Sequence, residues 1–291
     1  MIKVYLEFIK IGIVIFVLLS GVAGYATSYL VENTFNPFHF LYLISGLYFL
    51  SSGSLSLNQV QEWRQDKKME RTSKRPVASG KLSPVQGFII AILHLLIGCI
   101  GLYLSSLSAL LFGLLTIILY NGLYVYIWKK KWVFGAVPGA IPGALPVTIG
   151  YVANDPAWFH RDSLYLFLIL FLWQIPHFWI LAVKFKDDYA KGDFPVLPVV
   201  LGNKKTFSQI IGYTYLYVMV AVAAPWFLKT SWMYLVLIIP FVLFILKNLF
   251  VYIKSEGDKW LGLFMWLNFS MLAFLFIPAL DKWRHLFLAF K

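Results

Sequence analysis

Charge is what this sequence has least of. Only 13% of its 291 residues are Asp, Glu, Lys or Arg, against 60% hydrophobic, whereas a soluble domain is about half apolar and about a quarter charged. That shortage excludes an ordinary soluble fold, because so much apolar surface must face lipid as well as a core. Cysteine is scarcer still. The single Cys99 lies inside an apolar run, so no internal disulfide can form and a redox role is disfavoured. A low-complexity tail is also missing, and no polar connection exceeds 28 residues, which leaves no room for a soluble domain.

What remains is a series of apolar runs, each long enough to cross about 30 Å of hydrocarbon. Nine are visible, at 11–31, 37–57, 86–104, 107–127, 133–153, 163–183, 208–228, 231–247 and 261–280. Lipid offers no partner to backbone N–H and C=O groups, and the alternation of a barrel strand is absent, so these runs read as helices. The first is too long for a signal-peptide core and lacks a small-residue cleavage site, which predicts that it is retained. The expectation is an all-α integral membrane protein, residues 1–291 forming a single polytopic domain.

A net charge of +12 could suggest nucleic acid, but the distribution points to topology instead. Of the 25 Lys and Arg residues, 20 fall before the first run or in the connections at 58–85, 129–131, 184–207 and 247–259. The alternate side keeps Arg161, Lys229, Lys282, Arg284 and Lys291. The positive-inside rule then places the N-terminus and the charged loops in the cytoplasm and the C-terminus outside, which agrees with an odd number of crossings.

The loop NQVQEWRQDKKMERTSKRPVASGKLSP, residues 58–84, holds 10 of the 38 charged residues. Asn58, Glu62, Asp66 and Glu70 recur every fourth position, so a helix continuing out of the second run would stack them along one stripe. Such an oxygen-rich stripe attracts a hard cation. Mg2+ takes one or two carboxylates, several waters and substrate phosphates, so an incomplete protein cage suits a metal–diphosphate complex. Arg71, Lys74 and Arg75 follow, and Arg presents a planar fork to phosphate oxygens. Pro76 disfavours helix at Arg75, so the chain is expected to turn and fold this basic group back over the acidic one. A charged head bound at the mouth of an apolar bundle fits a prenyl diphosphate, whose allylic C–O bond ionises once the departing diphosphate is neutralised. The competing reading is a solvated juxtamembrane helix with i,i+4 ion pairs.

The loop also carries a resemblance. Asn58-x-x-x-Glu62-x-x-x-Asp66, followed by Met69-x-Arg71-Thr72-x-x-Arg75-Pro76 and Gly80, resembles the first acidic signature of the UbiA superfamily of intramembrane prenyltransferases. Glu62, the Asn58-Gln59 start and Met69-x-Arg71-Thr72 are similar to the branch of that superfamily that farnesylates haem. Two further stretches point the same way: Trp173-Gln174-Ile175-Pro176-His177-Phe178 with Lys186-Asp187-Asp188-Tyr189 and Pro195 to Gly202, and Tyr120-Asn121 with Lys129–Lys131 and Gly135 to Pro142. The match runs from about residue 50 to 202.

The resemblance implies a nine-helix UbiA-type bundle with its active site at the cytoplasmic mouth, in the cell (inner) membrane. It also implies transfer of farnesyl from farnesyl diphosphate to a vinyl carbon of haem B, with addition of water and Mg2+ as cofactor. By position, Asn58, Glu62 and Asp66 would hold metal and diphosphate, Arg71, Lys74 and Arg75 the phosphates, and Asp188 with Asp187 a second acidic site. A second Asp-x-x-x-Asp is missing, since positions 184 and 192 are Lys184 and Gly192. Gln174 and His177, three residues apart on one helix face, would contact haem, imidazole being a common iron ligand. Without the resemblance, a His after Pro more often hydrogen-bonds a freed carbonyl. His94, alone in the third run, reads as structural. Pro138, Pro142 and Pro146, with small residues between, either shape a cavity wall for a planar tetrapyrrole or make a kinked packing helix. Contact with haem A synthase or a terminal oxidase assembly would follow, and no nucleic-acid partner. Two other readings stay open: prenyl transfer to a quinone precursor or other aromatic acceptor, and a transporter or non-catalytic haem-binding assembly factor. Transporters place polar groups near the midplane, whereas here charge gathers at one mouth.

Overall fold

The computed structural model describes residues 2–30, 34–155, 157 and 160–288. Val31, counted in the first run, and Lys291, counted on the far side, lie outside the described residues. A short helix, α1 (Ile2–Phe8), precedes α2 (Ile11–Ser28) and α3 (Pro37–Gln61), and a one-turn-and-a-half helix α4 (Trp63–Lys68) follows. Then come α5 (Pro84–Ser105), α6 (Leu107–Lys131), α7 (Ala136–Asn154), α8 (Arg161–Lys184), α9 (Lys186–Lys191), α10 (Leu197–Val222), α11 (Ala224–Phe227), α12 (Trp232–Lys254) and α13 (Trp260–Leu288). Among the described residues all regular structure is helical.

Several starts are written in the sequence. Asn36 caps α3, its Oδ1 accepting from Phe38 N at 3.0 Å and His39 N at 3.2 Å, with Pro37 in the first turn. Ser83 and Gln86 form a reciprocal capping box on α5, again with Pro next. The middle of α6, Ile118–Trp128, is wound as a wide π-helix. Helices α2, α3, α5, α6, α7, α8, α10, α12 and α13 each pack on the next, and α13 returns to α2, closing a ring that α2 and α7 also bridge. Small residues allow that bridge. A Cβ on Gly150 would sit 1.9 Å from Gly21 O, so α2 and α7 cross with backbones in direct contact. At the same end of the ring Lys282 donates to Thr27 O at 2.5 Å and Tyr29 O at 2.8 Å, tying α13 to the C-terminus of α2.

Eight of the described helices are long and apolar enough to cross a membrane. The run expected at 208–228 spans the second part of α10 and the short α11, and α10 falls short of that standard. It breaks at Gly202, where φ is 76° and ψ 169°, and the turn after the break carries Asn203, Lys204 and Lys205. The large apolar side chains still exposed on these helices, such as Ile97, Ile100, Leu243 and Phe250, are the lipid-facing surface that the composition demands.

Candidate active site

The stripe read from the sequence exists, but it is not one helix. Helix α3 ends at Gln61, Glu62 leaves helical geometry with φ −113°, α4 resumes at Trp63, and Met69 is extended. Asn58, Glu62 and Asp66 stay on the inner side at 3%, 0% and 1% exposure. Glu70 is a correction to the four-residue stripe: the chain has already turned at Met69, and Glu70 is exposed.

Each of these buried side chains faces a cation. Arg75 folds back so that Nη1 donates to both Asp66 oxygens, at 2.7 and 2.9 Å. Lys129, at the end of α6, donates to Glu62 Oε2 at 2.6 Å. Lys10, in the left-handed turn between α1 and α2, donates to Asn58 Oδ1 at 3.0 Å. Burial pushes the Glu62 carboxyl up, yet the adjacent Lys129 ammonium, with Lys10 beyond it, brings it below its ordinary value. Burial, with the Arg75 charge adding to it, pushes the Lys10 ammonium down to about 7. Glu62 Oε1 and Asn58 Nδ2 are sealed from solvent and make no hydrogen bond within 3.5 Å, though the Asn58 amide lies near enough to help hold the Glu62 carboxyl down.

The second polar loop folds over the first. Asp188 on α9 accepts from Glu70 N at 3.1 Å and Arg71 N at 3.0 Å, so it clamps the backbone of the first loop. The Arg71 guanidinium lies 5.1 Å over the Phe185 ring and 5.7 Å over Tyr189. Asp187 and Lys74 are exposed, and Asp193, outside the expected set, pairs with Lys68 at 2.5 Å on the surface. Among the described residues no three His, Cys, Asp or Glu side chains gather as a metal site. The structure thus brings Asn58, Glu62, Asp66 and Arg75 together, with Arg71 on the rim, and leaves Asp187 and Lys74 outside.

A polar pocket of about 150 Å³ is lined by Asn58, Asp66, Arg71 and Arg75, with Glu62 behind its wall, and a cavity of about 1420 Å³ adjoins it. Lys10, Tyr120 and Tyr124 line both, so the charged mouth continues into the apolar interior. Gln174 and His177 line the large cavity from α8, and Gly139, Pro142, Gly143 and Pro146 line it from α7. His177 does not bond a carbonyl freed by Pro176. Its ring is flanked by Trp173 at 4.7 Å and Phe264 at 4.6 Å. His94 bridges two helices, its Nδ1 donating to Ile90 O (2.8 Å) within α5 and its Nε2 bonding Tyr5 OH on α1 (2.9 Å).

Lys10, Lys129, Tyr120 and Tyr124 are site residues that the reading of the loop alone misses. A basic residue at the membrane end of an apolar run is ordinarily a topology signal, and only the packing of α2 and α6 against α3 turns Lys10 and Lys129 inward.

A ring of lipid-exposed helices with a carboxylate- and cation-lined mouth adjoining a large apolar cavity defines an intramembrane enzyme for a substrate with a polar head and an apolar tail. Residues 14–271 match the model of the UbiA prenyltransferase family, and the chain belongs to that family. It is 53% identical to the Protoheme IX farnesyltransferase of Bdellovibrio bacteriovorus, with 99% of each chain covered. Among solved structures, it shares its fold with a digeranylgeranylglyceryl phosphate synthase in membranes, at TM-score 0.77 and 19% identity, covering 97% of this chain and 99% of that one. A UbiA homolog from Archaeoglobus fulgidus bound to GPP and Mg2+ superposes at TM-score 0.68 and 14% identity, covering 94% and 99%.

Proposed function

We propose that the chain transfers a farnesyl group from farnesyl diphosphate to a vinyl carbon of haem B, giving haem O and diphosphate. The observation that carries this is the continuity of the cation-lined mouth with the large cavity through Lys10, Tyr120 and Tyr124. The acceptor comes from the whole-length similarity to a protein named for protohaem farnesylation.

Mg2+ fits the residues present. Two carboxylates, one of them with Glu62 Oε1 unpartnered, and an amide oxygen form an incomplete hard-oxygen set of the kind that a diphosphate completes. Asn58, Glu62 and Asp66 would hold the ion, with Asp188 and Asp187 above them on the second loop. When bound, Mg2+ neutralises charge on the departing diphosphate. Arg75, Lys129 and Lys10 stand ready for the phosphate oxygens, with Arg71 at the rim and Lys74 further out. The apolar walls keep bulk water from the allylic cation until the acceptor attacks. Gln174 and His177 contact the tetrapyrrole in the cavity. In this reading α10 crosses as well, making nine crossings in a single polytopic domain. The charged loops and N-terminus face the cytoplasm across the inner membrane, and the C-terminus lies outside. Haem A synthase or a terminal oxidase assembly would take the product.

The test is to incubate membranes containing the protein with haem B, farnesyl diphosphate and Mg2+ and to weigh the extracted haems. A hydroxyethylfarnesyl haem is expected, and chelation of Mg2+ stops its formation. Membranes that make none, yet prenylate an aromatic acid, would establish a quinone-precursor acceptor instead.

A further inference from the structure

Gln174 and His177 line the large cavity and do not line the polar pocket at the mouth. Their hydrogen bonding is one-sided. Gln174 Nε2 donates to Leu170 O at 3.0 Å and to Ala140 O at 3.4 Å. Only the N–H end of an amide can donate to carbonyls, so these contacts settle which end is oxygen. Gln174 Oε1 is thereby turned onto α7 beside Gly143, where a Cβ would stand 1.9 Å from it. Glycine at 143 is therefore required for this rotamer. The His177 ring is held between Trp173 and Phe264, its Nδ1 sealed and without a partner. Nε2 is consequently the nitrogen left for a molecule in the cavity, and it accepts when the proton sits on Nδ1. Three residues apart on α8, the two side chains present two acceptors on one face.

Two acceptors side by side fit a molecule with two donors. We propose that Gln174 Oε1 and His177 Nε2 hold the water that is added in the reaction; this assignment rests on the haem-farnesylation reading. Water that donates to both keeps its free lone pair for an electrophile in the cavity. The farnesyl C1–O bond breaks with its electron pair on diphosphate, and the vinyl π pair forms the new bond to C1. Positive charge then lies on the inner vinyl carbon, beside the macrocycle. The held water closes on that carbon, and its proton passes to His177 Nε2, giving the hydroxyl. If no water is held there, the same cation loses a proton and leaves an alkene lighter by one water.

The experiment compares wild type with His177→Phe, which keeps the ring stack, Gln174→Met, which removes the acceptor at similar volume, and Gly143→Ala, which displaces Gln174 Oε1 without altering its chemistry. Membranes carrying each are given haem B, farnesyl diphosphate and Mg2+, and the ratio of hydrated to dehydrated farnesyl haem is read by mass. The expected result is a fall in that ratio of about a hundredfold for His177→Phe, the lower end of what a positioned base contributes, with smaller falls for the other two. Because the ratio is taken within the product, a smaller amount of folded protein leaves it unmoved. An unchanged ratio in all three variants overturns the proposal, and an unchanged ratio with a lost haem absorbance shift in His177→Phe makes that residue an iron contact. Loss of all product from all three, at normal protein level in the membrane, also overturns it. Wild-type membranes that form no farnesylated haem would sink the underlying reading, a result distinct from these.

Discussion

Two polar loops meet at the mouth of the bundle, both rich in carboxylates, and they bury them differently. In the loop after α3, Glu62 and Asp66 are closed off and each is matched to one cation. In the loop after α8, Asp187 is exposed and Asp188 spends both oxygens on backbone N–H groups of the first loop. A buried carboxylate is costly unless paired, and in the first loop both are paired. The second uses its acid to hold the backbone of the first loop, with Phe185 and Tyr189 set against Arg71. Similar composition therefore divides into a loop that buries paired carboxylates and a loop that ties down its neighbour's backbone.

The sharpest way to break this division is Asp66→Asn. It keeps the shape and an acceptor for Arg75 but removes the charge, and turnover in the membrane assay is expected to fall about 10²- to 10³-fold, the usual effect of losing one preorganised electrostatic group. Wild-type-like activity would mean that the buried pair is only structural.

Next in size is the Glu62–Lys129 pair. Lys129→Met leaves a sealed carboxylate without its partner, which costs about 3–5 kcal/mol. The detergent-solubilised variant should melt clearly below wild type. Adding Glu62→Gln to Lys129→Met should restore most of the melting temperature and none of the activity. Recovery of both would remove Glu62 from the ligand set.

How far these loops were legible follows from the range of the forces involved. Local rules reach Asn58, Glu62 and Asp66, because positions four apart share a helix face, and they reach Arg75, because Pro76 turns the chain. They fail at Glu70, since nothing local marks the break at Glu62 or the extended Met69. Lys10 and Lys129 depend on which helix lies beside α3, a fact of the ring and not of their own segments. Asp188 is harder still: its partners are backbone groups more than a hundred residues away, and a backbone N–H has no residue-specific signal. The apolar runs were plain because lipid forces them into helices. The run on α10 is helical too but less apolar, the helix breaking at Gly202 and carrying Asn203, Lys204 and Lys205 in the next turn.

Asp188→Ala tests the hold on the first loop's backbone. The two bonds to Glu70 and Arg71 have a charged acceptor, each contributing about 1.5–3 kcal/mol at best and less where solvent reaches them. Loosening the first loop should raise the KM for farnesyl diphosphate about tenfold, a 1.4 kcal/mol effect, while kcat changes less. If kcat collapses as it does for Asp66→Asn, Asp188 is a ligand and the division between loops disappears.

The smallest effects are expected where the composition looks most like a site and the structure says otherwise. Glu70 belongs to the four-residue repeat and Asp187 to the second acidic pair, yet both side chains are exposed. Substitutions at such surface positions ordinarily stay within about 0.5 kcal/mol, so Glu70→Gln and Asp187→Asn should each leave KM and kcat within about threefold of wild type. Glu70 gives the stricter test, because its backbone N–H is one of the two held by Asp188 and that bond survives a side-chain change. A large loss in Glu70→Gln alone would mean that the loop refolds on substrate binding and brings the fourth oxygen of the stripe inward. The difference between the loops would then be one of timing and not of role.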